Sequence, residues 1–91
     1  MEQIRIGEGT QLLQIISEPY VIYGRRGYQP AINVENLQSG KSGYLVLSAL
    51  SLSESINDLV TANNGVFTGL TILIKKASRD RMAPYVVTTP D

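Results

Sequence analysis

Tyrosines and basic residues are the side chains of this 91-residue chain whose types and spacing could do chemistry. Aromatic rings can stack on the bases of single-stranded nucleic acid, which is worth about 1–3 kcal/mol per base, and cations can track its phosphates. Three tyrosines lie in predicted strands close to turns that carry arginine or lysine. The candidate binding residues are therefore Tyr23, Arg25, Arg26, Tyr28, Lys41, Tyr44, Lys75, Lys76, Arg79 and Arg81.

Each of these residue types also has an ordinary structural explanation. A tyrosine at a strand edge usually packs its ring on neighbours and leaves its hydroxyl in water, and Tyr20 and Tyr85 are assigned mainly to the core. Arginines in a hairpin are more often solvated surface than ligands, and Lys75 and Lys76 could protect an edge strand from pairing with another chain. The co-location of three tyrosines with two basic turns keeps the binding interpretation and the structural one both open.

Charge is balanced over the whole chain but not along it. Eight basic and eight acidic residues cancel, so net charge alone favours no nucleic-acid partner. Seven of the basic residues lie in predicted turns or at strand ends. The acidic residues lie mostly elsewhere, either early in the chain, as Glu8 and Glu18 do, or on the outer face of the predicted helix, as Glu54 and Asp58 do. A local basic patch can bind phosphates on a neutral protein, so neutrality does not exclude this class of function.

Catalysis is not expected from this composition. The chain has no histidine and no cysteine, which removes the ordinary catalytic triads, imidazole bases, and nitrogen or sulfur metal ligands. Glu54 and Asp58 are an i, i+4 pair on a solvated face, and the arginines beside Asp80 favour its charged form. Gly40-Lys41-Ser42 lacks the upstream glycine of a phosphate-binding loop and precedes a strand. We expect neither an enzyme nor a bound metal, cofactor or small-molecule substrate.

The sequence carries no recognisable targeting or membrane signal. No apolar run approaches the roughly 20 residues that cross a bilayer. Residues 1–5 lack both the basic start and the apolar core of a secretory signal. The absence of cysteine fits a reducing compartment. We therefore expect a cytoplasmic protein without membrane contact, located in the host cell if the chain is viral.

One amphipathic helix is predicted near the middle of the chain. Ser51 and Glu54 have the spacing of a capping box, in which each side chain bonds the other residue's backbone amide. Asn63-Asn64-Gly65 ends the helix, since asparagine and glycine tolerate the left-handed conformation. The apolar residues that recur along one face of the helix are Leu52, Ile56, Leu59 and Val60. This stripe must be buried against another layer, which the strands supply.

Strands account for most of the remaining chain. Runs rich in apolar and β-branched residues, separated by turn residues, predict strands at 10–17, 20–23, 28–35, 44–49, 70–76 and 84–88. Glu18-Pro19 interrupts the first of them, because proline cannot donate to a ladder, and the break is interpreted as a kink within one long strand. Gly24 and Gly27 bound a hairpin turn. Residues 1–9 are expected to be loosely held.

The order of three strands, a helix and two strands, with a long kinked first strand, resembles the OB-fold. That fold is all-β with one helix, a five-stranded Greek-key barrel whose helix lies between strands 3 and 4. The resemblance covers about residues 10–88 of a single domain spanning 1–91. More narrowly, Tyr23-Gly24-Arg25-Arg26 and residues 32–40 and 44–48 are similar to the small single-stranded-DNA-binding OB proteins of phages and archaeal viruses.

This resemblance implies a sequence-tolerant groove across strands 2 and 3, flanked by the loop between strands 1 and 2 and the loop between strands 4 and 5. The chain departs from the bacterial members by lacking a flexible acidic tail, so recruitment of replication enzymes by that route is not implied. The first hypothesis is therefore binding of single-stranded DNA, or of RNA, with little sequence preference, as an accessory to replication or recombination.

The second hypothesis is a non-enzymatic structural or protein-interaction barrel, for example a viral assembly subunit. It rests on strand faces that are more apolar than one small barrel can readily hide. These faces are supplied by Leu12, Leu13, Ile15, Ile16 and Leu73. A homo-oligomer, most simply a dimer, is expected under either hypothesis.

Overall fold

The computed structural model describes residues 1–90, which form one β-sheet and one helix. The elements in chain order are β1 (Glu2–Gln3), β2 (Gln11–Ile15), β3 (Tyr20–Gly24), β4 (Gly27–Asn36), β5 (Ser42–Val46), α1 (Leu50–Ala62), β6 (Thr71–Lys76) and β7 (Tyr85–Thr88). The prediction of a mostly β fold with one helix is confirmed. Within residues 1–90 the strands number seven and not five, because the kinked strand is divided into β2 and β3 and the short β1 precedes it.

The kink between β2 and β3 is a bulge opposite a continuous β4. Ile15 pairs with Val34 and Tyr20 pairs with Ala31, so the chain advances five residues on one side and three on the other. Pro19 has no N–H to donate, and the ladder cannot continue through it. On the opposite strand, the N–H of Asn33 is satisfied by a side chain of the bulge, since it donates to the Ser17 hydroxyl at 2.9 Å. β2 and β3 therefore act as one bent strand along β4.

The sheet is open. Its strands follow the order β1-β5-β4-β2-β6-β7, with β3 also paired to β4. All pairs are antiparallel except β1 with β5, which is parallel. Within residues 1–90, β1 and β7 are the two ends of this order and do not pair, so the expected closure into a barrel is not seen. The reason lies at the edge of β5, which is occupied by Glu2–Gln3 instead of by the last strand.

The helix begins differently from the prediction. Its N-cap is Ala49, without a side-chain hydrogen bond, so the predicted capping box of Ser51 and Glu54 is wrong. The Ser51 hydroxyl instead accepts from the Tyr85 N–H at 3.2 Å, which ties α1 to β7. The predicted end of the helix is confirmed, because Asn64 and Gly65 follow the last turn with φ angles of 59° and 78°.

The core lies between the inner faces of the strands and one stripe of α1. Leu52, Ile56 and Val60 are buried as predicted, while Leu59 is only half-buried. The strand-side and loop residues of the same cluster are Leu13, Ile15, Ile32, Val34, Leu45, Leu47, Ile72 and Ile74. Removing one such side chain from water contributes about 1.5–3 kcal/mol. This cluster therefore drives the packing of the sheet around the helix.

The first residues are attached to the sheet, contrary to the expectation of a loose end. The Ile4 N–H donates to the Tyr44 carbonyl at 2.8 Å, and the Lys76 N–H donates to the Gly7 carbonyl at 2.7 Å. Ile4 and Ile6 pack against the core. This stretch spans the gap between β5 and the end of β6. No helix within residues 1–90 has the length and apolar character needed to cross a membrane.

Candidate functional site

The outward face of β4 and β5 forms the floor of the candidate site. Val34 points into the core, so the alternate positions of β4 face outward. On that outward face Asn33 pairs with Tyr44, and Ala31 pairs with Val46. The ring of Tyr44 is therefore held on a rigid two-strand ladder, half-buried among its neighbours. A fixed, partly open aromatic ring of this kind can act as a stacking platform.

A groove of about 590 Å³ crosses this floor. One end is bounded by the β3–β4 hairpin, and the far side is bounded by the residues around β1 and by the start of β7. The lining side chains with charged or aromatic groups are Arg5, Tyr23, Arg25, Arg26, Tyr44 and Tyr85. Uncharged polar groups come from Gln3, Gln29 and Ser48. The groove thus combines cations, aromatic rings and hydrogen-bonding groups along one concave surface.

A smaller concavity of about 200 Å³ continues the groove toward β6. The two share Gln3, Arg5, Val46 and Tyr85, and the smaller one adds Lys76. The Lys76 ammonium lies 5.4 Å from the centroid of the Tyr85 ring, within the range of a cation–π interaction. We call the two concavities together the cationic groove.

The cationic groove has a single sign of charge. Arg5, Arg25, Arg26 and Lys76 line it, and no aspartate or glutamate of the described chain does. Within residues 1–90 the one ion pair joins Arg79 Nε to Glu8 Oε1 at 2.9 Å, outside the groove. Within residues 1–90, therefore, no carboxylate neutralises the groove cations at contact distance. A concave surface lined by one sign of charge concentrates anions from solution.

Five of the ten predicted binding residues lie together in this groove: Tyr23, Arg25, Arg26, Tyr44 and Lys76. Tyr28 is beside it but not in it. Its ring centroid is 5.0 Å from that of its partner Tyr23, and its side chain is 78% exposed. Tyr28 itself lines neither concavity, although Tyr23, which pairs with it, lines the larger one.

Lys41 lies at the other end of the sheet. Glu35 pairs with Ser42, so the turn that carries Lys41 follows the far end of β4 from the Gly24–Gly27 hairpin. The ten-residue strand β4 separates the two turns by roughly 30 Å. The structure therefore does not bring Lys41 together with Arg25 and Arg26.

The basic residues around the last turn are divided between surfaces. Lys75 alternates with Lys76 and lines a separate concavity of about 260 Å³ with Thr10 and Val86. Arg79 is exposed and paired with Glu8. Arg81 is exposed and offers its backbone carbonyl, which accepts from the Lys76 ammonium at 3.2 Å. Of this cluster, only Lys76 lines the cationic groove.

Two groove residues were missed from the sequence. Arg5 lies in the stretch expected to be loose, although the alternation of polar Gln3 and Arg5 with apolar Ile4 and Ile6 is a period-two signal. Tyr85 was assigned to the core, and it does pack on the core while also lining the groove.

Tyr20 was also assigned to the core, but it lies at the surface of β3. Its hydroxyl donates to Asn33 Oδ1. Because Tyr20 pairs with Ala31, it shares the outward face that carries Tyr44.

Glu18, a carboxylate with a lowered pKa, lies away from the groove. Glu18 accepts from the Thr68 hydroxyl at 2.7 Å, from the Thr68 N–H at 2.8 Å and from the Phe67 N–H at 3.1 Å. These donors favour the charged form, the Thr68 hydroxyl most, and they lower the pKa of Glu18 below its ordinary value of 4.5. Glu18 thus fixes the loop after α1 to the bulge before β3, which is a structural role.

Neither a metal site nor a similarity to known proteins assigns this site to a class. Residues 1–90 contain no cluster of three or more His, Cys, Asp or Glu side chains that could hold a metal ion. No protein-family model matches the chain, and the comparisons with curated proteins and with solved structures give no match either.

Proposed function

We propose that this protein binds single-stranded DNA, or single-stranded RNA, in the cationic groove with little sequence preference. The observation that carries the proposal is the composition of one concave surface: four cations and three tyrosine rings without a carboxylate among its lining residues in the described chain. Cations that track phosphates, together with rings that stack on bases, are the two parts of sequence-tolerant binding to single strands.

The arrangement favours a single strand over a duplex. Tyr44 and Tyr85 are half-buried in the groove, so a base must be free of its own stack to lie on either ring. In a duplex the faces of the bases are already stacked and only phosphates can be contacted. Arg25 and Arg26 at the hairpin and Lys76 at the opposite end can then hold the backbone while bases occupy the floor between them.

The strand pairing supports an open variant of the OB-fold as the type of this domain. A bent first strand (β2 and β3) pairs with β4, β4 pairs with β5, and β6 pairs with both β2 and β7. The helix lies between β5 and β6, as it does between strands 3 and 4 of that barrel. The groove crosses β4 and β5, the counterparts of strands 2 and 3. The pairing departs from that barrel in two ways: β1 takes the edge of β5, and within residues 1–90 β7 does not pair with β5 to close the sheet.

A non-catalytic binder of this kind would serve as an accessory to replication or recombination, cellular or viral, by covering exposed single strands. The chain has no histidine or cysteine, and its titratable groove residues are cations and tyrosines. These groups can hold a polyanion, and in the described part of the chain no carboxylate lines the groove beside them to form an acid–base pair.

A fluorescence anisotropy titration with labelled oligo-dT tests the proposal. We expect binding that weakens steeply between 50 and 200 mM salt, because each phosphate contact releases counterions. A labelled duplex of equal length should bind more weakly, and an oligo-rU should report the preference between DNA and RNA. Equal binding of duplex and single strand, or no binding at 50 mM salt, would remove the proposal.

A second candidate function, self-assembly through strand edges, is favoured by the free edge of β3. This strand pairs only with β4 in the described chain, and Val21 on it is 66% exposed. An unpaired apolar edge is a template for pairing with another chain. The apolar excess is accommodated only in part, since Leu13 and Ile15 are buried, Leu12 and Leu73 are half-buried, and Ile16 is exposed. Light scattering after size exclusion distinguishes a dimer from a monomer, and Val21→Lys should dissociate a dimer formed by this edge.

A further inference from the structure

We propose, on the basis of the function proposed above, that residues 2–7 are a wall of the binding groove and that Arg5 contacts a backbone phosphate of the bound strand. This assigns a ligand-binding role to a cation that lies far in sequence from the other groove residues. It also means that full affinity for the single strand requires residues 2–7 to be attached to the sheet.

The side chains of this stretch alternate between the core and the groove. Ile4 and Ile6 are half-buried against the core cluster and also contribute to the smaller concavity, while Gln3 and Arg5 are exposed and line both concavities. Period-two alternation is the arrangement of an extended chain with one dry face and one wet face. Burial of the two isoleucines therefore fixes the direction in which Arg5 projects.

The backbone on both sides of Arg5 is held by hydrogen bonds. The Ile4 N–H donates to the Tyr44 carbonyl at 2.8 Å, on the floor strand of the groove. The Gly7 carbonyl accepts from the Lys76 N–H at 2.7 Å, at the far end. The Arg5 carbonyl accepts from Gln11 Nε2 at 2.9 Å. Since the flanking chain is attached to β5 and to β6, Arg5 is carried on a fixed support.

A glycine on β5 makes this attachment possible. A Cβ atom at Gly43 would lie 2.5 Å from the Glu2 carbonyl oxygen and 2.7 Å from Ile4 Cδ1. Real Cβ atoms essentially never approach that closely, so a side chain at position 43 would displace β1. Gly43 does not line the groove. A substitution at Gly43 can therefore displace the backbone that carries Arg5 while all four groove cations keep their side chains.

Arg5 lies between the two groups of cations already described. It lines both concavities, whereas Arg25 and Arg26 line only the larger and Lys76 only the smaller. A strand that runs from the hairpin to the Lys76 end must pass Arg5. The ligand class that fits this row of cations is an extended polyanion rather than a single phosphate or a mononucleotide.

The first test compares Arg5→Ala with Lys41→Ala, which removes the same charge outside the groove. Each phosphate contact contributes about 0.7 to the slope of log affinity against log salt for single strands. Arg5→Ala should make that slope for oligo-dT shallower by about 0.7 and lower the affinity about fivefold. Lys41→Ala should leave the slope unchanged.

The second test uses Gly43→Val in a double-mutant cycle with Arg5→Ala. Gly43→Val alone should reduce the affinity as much as Arg5→Ala does, and the double variant should show no further loss, because both remove the same contact. If the losses of binding free energy in the two single variants add in the double variant, Gly43→Val weakens binding by some route other than Arg5. That outcome would overturn the role of the N-terminal stretch as the support of Arg5.

Amide hydrogen exchange gives a readout that does not depend on affinity. If Arg5 contacts the bound strand, saturating oligo-dT must stabilise the attachment of residues 2–7 to the sheet. Hydrogen exchange at the Ile4 amide should then slow, because a ligand that binds the attached form shifts the population toward it. If the wild-type protein does not bind oligo-dT, the proposed function fails. If it binds while Arg5→Ala keeps the wild-type slope and Ile4 exchange is unchanged, only the present inference is overturned.

Discussion

At the scale of single residues, Tyr44 is the aromatic side chain best placed to stack on a base. It is half-buried on the groove floor, and its strand is fixed by pairing with Asn33 on β4. Tyr28 differs in that its side chain is 78% exposed and does not line the groove, although its ring packs against that of Tyr23, which does. The two tyrosines therefore form a matched pair for testing which rings contact a ligand.

We expect Tyr44→Leu to weaken oligo-dT binding by about 1–3 kcal/mol, because leucine fills the site but has no ring face to stack. Tyr28→Leu should change the binding free energy by less than about 0.5 kcal/mol. Anisotropy titrations of both variants against oligo-dT and a mixed-sequence oligonucleotide check this. Equal losses in the two variants would show that the hairpin, and not the floor, is the stacking site.

Glu18 carries the one pH dependence that the structure assigns to a named group. The Thr68 hydroxyl and the amides of Thr68 and Phe67 lower its pKa below 4.5 in the folded state. A lowered folded pKa means that the charged form stabilises the fold at pH values above 4.5. This stabilisation is lost as the pH falls through the folded pKa, where the carboxylate becomes protonated.

We therefore expect Glu18→Gln to be less stable than wild type at pH 7, with a difference that shrinks progressively below pH 4.5. Urea denaturation at a series of pH values measures it. Glu54→Gln, on the exposed face of the helix, is the matched control for the substitution and should be about as stable as wild type at pH 7. A Glu18→Gln deficit that persists unchanged at pH 3 would point to lost packing instead of lost charge.

At the scale of elements, the start of α1 is fixed by tertiary structure instead of by its own sequence. Ser51 accepts from the Tyr85 N–H, whereas the hydroxyl of Ser53 donates within the helix to the Leu50 carbonyl. Both serines lie in the first turns of the helix, so alanine brings the same gain in helix propensity at either position. The difference between the two substitutions isolates the bond to β7.

We expect Ser51→Ala to be less stable than Ser53→Ala by about 1 kcal/mol, since it leaves the Tyr85 amide without its partner. Thermal or urea denaturation of the two variants gives this difference. Glu54→Ala distinguishes this tertiary bond from the alternative explanation, a capping box between Ser51 and Glu54. A capping box would make that variant lose about 1 kcal/mol, whereas an exposed Glu54 without a cap bond predicts a change within about 0.5 kcal/mol.

The sequence predicted the helix and those strands in which apolar residues recur in a clear pattern. The apolar stripe of α1 and the β-branched runs of β2, β4 and β6 are long enough to be recognised, and Pro19 marks the kink. Residues 2–7 were missed because their strand has only two residues and its partner residues are 41 positions away. Their attachment depends on the missing side chain of Gly43, which no local pattern reveals.

The site was predicted only in part for a similar reason. Neighbouring residues on a strand face opposite sides, so a cluster such as Lys75-Lys76 is divided between two surfaces. Lys41 shows the second limit. Its turn and the Gly24–Gly27 hairpin are close in sequence, but a ten-residue strand separates them in space. Residue type indicated the chemistry, while register decided which residues share the groove.

At the scale of the whole molecule, a neutral chain has a strongly uneven surface. The groove cations Arg5, Arg25, Arg26 and Lys76 lie on one face, and the charged side chains of α1 are the acidic Glu54 and Asp58. Such a distribution orients an approaching polyanion toward the groove and away from the helix. The central claim is that charge position, and not net charge, determines binding.

The most direct test compares two double variants of equal charge: Arg25→Ala/Arg26→Ala in the groove and Lys41→Ala/Lys75→Ala outside it. Both lose two positive charges, so any effect of net charge is the same. We expect the groove variant to reduce the salt-dependence slope for oligo-dT by about 1.4, equivalent to two phosphate contacts, while the other keeps the wild-type slope. Equal slopes in the two variants, or a larger loss in the second, would contradict binding in the cationic groove.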